Sequence, residues 1–386
     1  MILYPLKGER KMKTKNPKVE HGIVHRYPSD HNCFRYNAWP TVCKDDRGVL
    51  YATASGLRMS HVDPCGKNVM WVSFDDGSSW TPPIIVNDSN YDDRDTGILY
   101  LGNGKMLMSW FTSVYANDLE HMQEQEWLHP SDKAMMGAFS GYWKTLPPEK
   151  GKEEWGSFVK LSDDYGVTWG ENIRVPVSSP HGPCVAKDGT IYYLGKTMNF
   201  EHPYGPDVEC HKSLDGGHTW EYCGTVPSFE NFLPNQVHEP HIIELPSGRL
   251  LGAMRVNGRN VKPVDTTYLT YSDDKGKTWS VPKCCGVDGM PPHFMMHSSG
   301  ALILSYSCRN EPDLCMSERA VISYDEGETW SDEYILDDRI NMQKQRDMGY
   351  PATVELSDGS LLTLYYQALP DDWHTSILYT KWRIEE

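Results

Sequence analysis

The chain has 386 residues, room for one or two domains, and its 22 Tyr, 13 Trp, 32 Gly and 26 Pro favour short strands and tight turns over long helices. A formal net charge of −16 excludes wrapping of a nucleic-acid backbone, although a local arginine pocket can still take an anion. No run of 18 apolar residues is present, which excludes a membrane-spanning helix, and ten scattered Cys without a C-x-x-C pair suit neither a zinc site nor a short-chain disulfide framework.

The first 33 residues precede any repeat. They open with MILYPLKGERKMKTKNPK, whose apolar run stops at Pro5, too short for the core of a secretory signal. The expectation is a cytoplasmic protein. A recurring pattern then begins: an extended segment, a polar turn closed by Gly, and an apolar strand. Its first copy is DDRGVLYATA, with the turn at Gly48. A second motif follows, SFDDGSSW, from Ser73 to Trp80. The hairpin returns in GNGKMLMSWF at Gly104. Roughly residues 116–157 then interrupt the pattern with QEQEWLHPSDKAMM and PPEKGKEEW, a polar and partly helical insertion of the kind that often serves function.

From there the two motifs alternate to the end. SDDYGVTW (Ser162 to Trp169) leads to AKDGTIYYLG at Gly189, and SLDGGHTW (Ser213 to Trp220) to LPSGRLLGAM at Gly248. SDDKGKTW (Ser272 to Trp279) leads to HSSGALILSY at Gly300, and SYDEGETW (Ser323 to Trp330) to LSDGSLLTLY at Gly359. The tail SILYTKWRI reads as a last strand that closes the array with N-terminal residues. Gly supplies the positive φ of a tight hairpin turn; one such turn is weak evidence and six are strong. In the second motif Ser, Asp and Gly suit a hydrogen-bonded turn and Trp a large apolar anchor, so that motif is structural rather than catalytic. Two strands from each hairpin and two around each later turn make a four-stranded unit. Six units arranged radially predict an all-β, six-bladed β-propeller as a single domain over residues 1–386, with only short sheet edges left open.

Counting back nine residues from each turn Gly gives Trp39, Asp95, Pro180, Glu239, Pro291 and Tyr350. The next residues are Pro40, Thr96, His181, Pro240, Pro292 and Pro351. Proline is tolerated at the start of a strand but not inside a central one, so this column is expected where each innermost strand begins. In a propeller those starts converge on the axis at one mouth. Each hairpin returns its second strand to that mouth, where the exits carry Arg58, Arg255 and Arg309. His61, His181, His238, His241 and His293 fall near the same rim. They lack the spacing of a metal-ligand cluster, so no metal and no cofactor is expected, and they read as hydrogen-bonding pocket residues or as a catalytic histidine. A concave rim with convergent carboxylate, Tyr and Arg is where a ligand is expected.

The five S-x-D-x-G-x-T/S-W motifs resemble the Asp-box of sialidases and related propellers, over about residues 34–383. Other segments extend the resemblance. GLRMSHVD is similar to the segment in which an Arg precedes the acid/base Asp by five residues, which implies Arg58 as a ligand and Asp63 as the acid/base. HEPHIIELPSGRLLGAMR resembles the segment with a Glu and, sixteen residues on, a carboxylate-binding Arg, implying Glu239 and Arg255. DMGYPATVELSDGSLLTLYY resembles the segment of the nucleophilic Tyr, implying Tyr350, and the last family arginine falls near SERAVISYDEG, implying Arg319. The first blade departs from the family: Ala38-Trp39-Pro40 stand where sialidases place Arg-Ile-Pro, with Arg35 as the candidate substitute.

The resemblance implies a retaining exo-glycosidase that removes terminal α-linked sialic acid from a glycan. Arg forks bind a carboxylate bidentately. A Tyr nucleophile, the known exception among glycosidases, avoids repulsion from the substrate's own carboxylate. Glu239 would be its base and Asp63 the acid, with Asp95 as the other candidate for that proton. Arg58, Arg255, Arg319, Arg35, Asp95, His181, His238 and Trp39 complete the expected site. Two other readings stand beside it: a propeller hydrolase or lyase that uses His on a uronic or deoxy sugar, and a non-catalytic glycan-binding propeller. The expected partner is an acidic glycan, with no nucleic acid and no membrane.

Overall fold

The computed structural model describes residues 12–28, 33–114, 128–198, 207–230, 232–257, 265–309, 316–339, 347–370 and 372–385. Six antiparallel sheets stand around one axis, as the hairpin count predicts. Blade 1 runs outward through Tyr36–Lys44, Leu50–Arg58, Lys67–Ser73 and Ile84–Asn87. Blade 2 uses Asp92–Gly102, Lys105–Ser113, Gly156–Ser162 and Ile173–Val175. In blade 3 the inner strand is broken into Val177–Ser178 and Cys184–Val185, both paired with Ile191–Thr197, followed by Val208–Ser213 and Glu221–Thr225. Blade 4 is Val237–Glu244, Leu250–Asn257, Asp265–Ser272 and Lys283–Cys284. Blade 5 is Met290–Met296, Leu302–Cys308, Ser317–Ser323 and Glu333–Asp337, with Thr14–Lys15 added in parallel outside it. Blade 6 is closed by the N-terminal part of the chain: Glu20–His25 lies antiparallel to Thr375–Trp382, outside Leu361–Ala368 and Met348–Glu355.

The core is divided into six parts, one buried apolar cluster in each gap between neighbouring blades. Each Trp of the second motif packs into one of those gaps: Trp80, Trp169, Trp220, Trp279 and Trp330. The polar part of each motif is a small closed circuit. In the blade 3 copy, Asp215 accepts from Ser213 Oγ at 2.8 Å, Thr219 N at 2.9 Å and Thr219 Oγ1 at 2.6 Å, while Gly217 N donates to Ser213 Oγ at 2.8 Å. The other four copies repeat this pattern at the outer end of the blades, away from the axis. The hairpin glycines Gly48, Gly104, Gly189, Gly248, Gly300 and Gly359 all sit at φ between +74° and +86°, a region an L side chain enters only with strain.

The axial column is a bulge rather than a strand start. The inner strands begin two or three residues earlier in blades 1, 2, 4 and 6 and one earlier in blade 5. In five blades two residues then oppose one: Trp39-Pro40, Asp95-Thr96, Glu239-Pro240, Pro291-Pro292 and Tyr350-Pro351 each fall in a register shift. In blade 3 the chain breaks there instead. A bulge leaves the extra residue out of the ladder, which is where a proline without an N–H does no harm. Its four non-proline members, Trp39, Asp95, Glu239 and Tyr350, all take φ between +48° and +56°. Four non-Gly residues in the left-handed region on one ring is strain of the sort that gathers at functional sites.

Of the insertion, the described part holds helices at Pro130–Trp143 and Pro148–Glu154. Leu128, Met136 and Trp143 pack on Met59, Cys65 and Tyr91 where blades 1 and 2 end. Among the described residues no helix is long and apolar enough to cross a membrane.

Candidate active site

The bulges and strand exits open onto a cavity of about 650 Å³ on the axis. It is lined by Tyr350, Glu239 and Asp95 from the column, by Arg255 and Arg309 from the exits of blades 4 and 5, and by Arg94, Lys196, His61 and His238. Ser178, Asn235, Gln236 and Asn257 add neutral hydrogen-bonding groups. A larger hollow of about 1030 Å³ lies beside the insertion helix. Its charged members Lys67 and Asp88 pair with each other at 2.6 Å, so it offers no acid–base set.

Three residues form the centre of the axial cavity. The Tyr350 hydroxyl donates to Glu239 Oε1. Arg255 Nη1 donates to both Glu239 oxygens, at 2.9 and 2.8 Å, and its Nε donates to Asn257 Oδ1 at 2.8 Å. Burial alone would raise the Glu239 carboxyl, but Arg255 and the Tyr350 hydroxyl outweigh it and hold the acid below its ordinary value. Burial, with the Glu239 charge beside it, pushes the Tyr350 phenol well above 10. The pair is therefore a neutral phenol on a carboxylate, the starting state for a base-activated tyrosine. Arg309 lies over the Tyr350 ring, its Cζ 5.5 Å from the centroid, and donates to the Met348 carbonyl.

Asp95 is the opposite case. It is 8% exposed, and its Oδ1 has no hydrogen-bond partner. Burial raises its carboxyl to about 7, Arg94 opposes the rise and Glu239 adds to it. Such an acid can serve as donor or acceptor near neutral pH.

Several expected residues stand elsewhere. Asp63 has no exposure and accepts the N–H groups of Met59 and Cys65 at 2.6 and 2.7 Å; it fastens its own loop and does not line the cavity. Arg58, equally buried, grips Asp92 with both Nη atoms and lies 4.6 Å from the Trp39 ring centroid. Arg319 is on the third strand of blade 5, bound to Glu333 at 2.7 Å, and Arg35 holds Asp372 at 2.9 Å. Arg58, Arg319 and Arg35, expected as ligand contacts, thus each hold a carboxylate of the chain itself and do not line the cavity, as burial of a charge favours. Trp39 is 1% exposed, a wall behind the site rather than a contact in it, with Arg94 Cζ 4.2 Å from its centroid.

His238 lines the cavity, whereas His181 lies beneath Tyr350 with ring centroids 6.3 Å apart. His181, His241 and His293 form a triangle with centroids 4.6 to 5.6 Å apart, His241 and His293 stacked and His181 edge-on to both. Burial pushes all three down, His293 to about 3, so they are neutral filling of the propeller channel. Among the described residues no group of His, Cys, Asp or Glu is arranged to hold a metal. The sequence reading left out Arg94, Lys196, Asn257 and Arg309 as ligands. Arg309 was placed at this mouth by its exit from blade 5, which matches that of Arg255 from blade 4, but was not named as a ligand. Arg94 and Lys196 carry no such signal.

Residues 69–362 match the model of a family described as BNR repeat-like domain. The structure is similar to that of a protein of unknown function from Dyadobacter fermentans, with a TM-score of 0.72 at 22% identity over 95% of this chain and 99% of that one. A Hadza microbial sialidase gives a TM-score of 0.65 at 16% identity, over 94% of this chain and 68% of that one. An α-L-arabinofuranosidase of Fusarium graminearum gives 0.58 at 11%, over 94% and 97%. At these identities the likeness is one of fold.

Proposed function

The chain belongs to the BNR repeat-like family, and from its axial site we propose that it is a retaining exo-glycosidase that releases a terminal acidic sugar, sialic acid or a close relative. One observation carries the reading: a tyrosine hydroxyl donating to a glutamate that an arginine keeps ionised, in the lining of the axial cavity. Tyr350 attacks the anomeric carbon as Glu239 takes its proton, and a glycosyl–tyrosine intermediate is then hydrolysed. Arg94, Arg255, Arg309 and Lys196 gather positive charge in the cavity of a chain whose net charge is −16, which favours an anionic ring over a neutral one. Asp95, buried in the same lining, would bind a ring hydroxyl.

The cation set differs from the one the resemblance implies, since Trp39 stands in the column of blade 1 and Arg94 comes from blade 2. A uronic acid satisfies the same cations as a sialic acid does, and the sialidase and arabinofuranosidase likenesses show this fold carrying different sugars. Turnover of an aryl α-sialoside beside aryl uronides and aryl rhamnosides tests the reading. Cleavage confined to the anionic glycosides is expected; equal turnover of the neutral ones overturns it.

A further inference from the structure

Where the acid should be, the chain has placed something else. The loop after the second strand of blade 1, residues 59–65, turns its charged group inward: Asp63 is spent on the N–H groups of Met59 and Cys65. The loop residue that lines the cavity is His61, its side chain 43% exposed. Its Nδ1 lies 2.7 Å from Oδ2 of Asp347, just before the inner strand of blade 6. Asp347 is fixed in turn, because the hydroxyls of Tyr36 and Tyr366 donate to its two oxygens, the latter at 2.6 Å. The edge of the imidazole rests on Trp39, centroids 5.1 Å apart, and Arg58 donates to the His61 carbonyl at 2.9 Å. Ring, backbone and Nδ1 are thus all held, and Nε2 is the nitrogen left toward the cavity. Trp39 also borders Tyr350, with centroids 6.2 Å apart, so His61 and Tyr350 flank one indole.

The geometry points to His61, oriented by Asp347, as the group that gives and takes the proton at the glycosidic oxygen; the assignment rests on the glycosidase reading above. Depth separates it from Asp95. An exo-acting site holds the terminal ring at its floor and lets the leaving group point to the mouth. Asp95 as a residue is 8% exposed and the His61 side chain 43% exposed, so His61 is the more open of the two to the leaving group. In the first step the Tyr350 oxygen bonds to the anomeric carbon and Glu239 takes the phenol proton. The bond to the glycosidic oxygen breaks, and Nε2–H of the His61 imidazolium protonates that oxygen, leaving a neutral imidazole. In the second, Nε2 takes a proton from water, whose oxygen bonds to the anomeric carbon as the bond to Tyr350 breaks. The phenolate recovers its proton from Glu239. The sum is glycoside plus water to sugar plus alcohol, with both residues restored. Asp347 is a positioning residue: it keeps Nδ1 as donor, so that Nε2 does the exchange.

The test compares wild type, His61→Asn, Asp347→Asn and Asp95→Asn on two α-glycosides of the same acidic sugar. One carries nitrophenol, which leaves without protonation; the other carries a sugar alcohol, which needs it. His61→Asn is expected to lose on the order of 10²- to 10⁴-fold in kcat/KM on the second and less than tenfold on the first. The pH limb that wild type shows on the poor leaving group should vanish. The groups facing His61 are Asp347, Tyr36 and Arg58 from its packing, and Arg94, Asp95 and Arg309 across the cavity. Asp347→Asn should show the same selectivity to a smaller degree, with that limb displaced. Equal losses on both glycosides, or none, overturn the assignment. Selective loss in Asp95→Asn instead moves the role to Asp95 and also overturns it. If wild type cleaves neither glycoside, the glycosidase reading falls first, and the proton assignment with it.

Discussion

The two ends of the propeller use the same residue types to opposite purpose. At the outer end each motif aspartate is exposed or half-buried, and saturated: Thr219 and Ser213 hold Asp215 down to about 2. At the axial mouth one acid, Asp95, is buried and left short of partners. Asp95 rises to about 7. The outer acids are built into turns that hold a Trp in each gap. Asp95 sits on a strained bulge, where its unpartnered oxygen is open to a ligand. A fold can carry such strain at one end because the other end contributes stability and no chemistry.

Substitutions can break that contrast. The largest effect is expected at Tyr350→Phe, which keeps the ring and removes the hydroxyl: kcat should fall on the order of 10³-fold or more with an unchanged melting temperature. Near-normal turnover would make Tyr350 a packing residue and the mouth no more catalytic than the outer end. Next is Arg255→Ala, which strips Glu239 of its cation and the cavity of one anion contact. The loss in kcat/KM should be about 2–5 kcal/mol, mostly in KM for the anionic sugar. A neutral glycoside affected as strongly would show that Arg255 serves only Glu239.

Asp95→Asn sharpens the contrast from the side of stability. The folded-state value near 7 lies above the ordinary carboxyl value, so the stability associated with the protonated form is fully present below about pH 4 and is lost as pH rises to about 7. Denaturant titrations should find Asp95→Asn more stable than wild type by about 1–3 kcal/mol at pH 8, and little different at pH 4. No gain at pH 8 would mean that the carboxyl finds a partner in solution. The smallest effect is expected at Asp215→Ala. Its folded-state value lies below the ordinary one, so its contribution is present above about pH 4 and lost as pH falls toward 2. Being exposed, it should cost about 1 kcal/mol or less at pH 7 and leave kcat untouched. A loss of activity there would deny that the two ends are separable.

The architecture was legible because it is repeated. Six glycines that each need a positive φ, and five Ser–Asp–Gly–Trp turns, are local demands, and local demands show in sequence. The axial column was visible by the same counting, yet its meaning shifted. Proline after Trp39, Glu239 and Tyr350 suggested strand starts, whereas the strands begin two or three residues before this column and a bulge leaves the proline out of the ladder. The charged residues were less legible, because a charge is assigned by what it meets. Arg58, Arg319 and Arg35 are taken by Asp92, Glu333 and Asp372, each pairing across a distance in sequence that no motif spans. Arg94 reaches the cavity because Trp39 of another blade offers it a face.

The strand Glu20–His25 on the outside of blade 6 sets a timetable for synthesis. Five blades can pair their four strands as the chain leaves the ribosome, since their strands are consecutive. The sixth waits for Thr375–Trp382, by which time its outer strand has been exposed for the production of some 350 residues. Until the two ends meet, the gap between blades 5 and 6 and that between blades 6 and 1 stand incomplete, and with them the mouth where Tyr350 joins Glu239. A nascent chain of this protein thus stays without its reactive pair until Thr375–Trp382 has been made, and a chain cut short before Trp382 keeps both a sticky edge and an unassembled site.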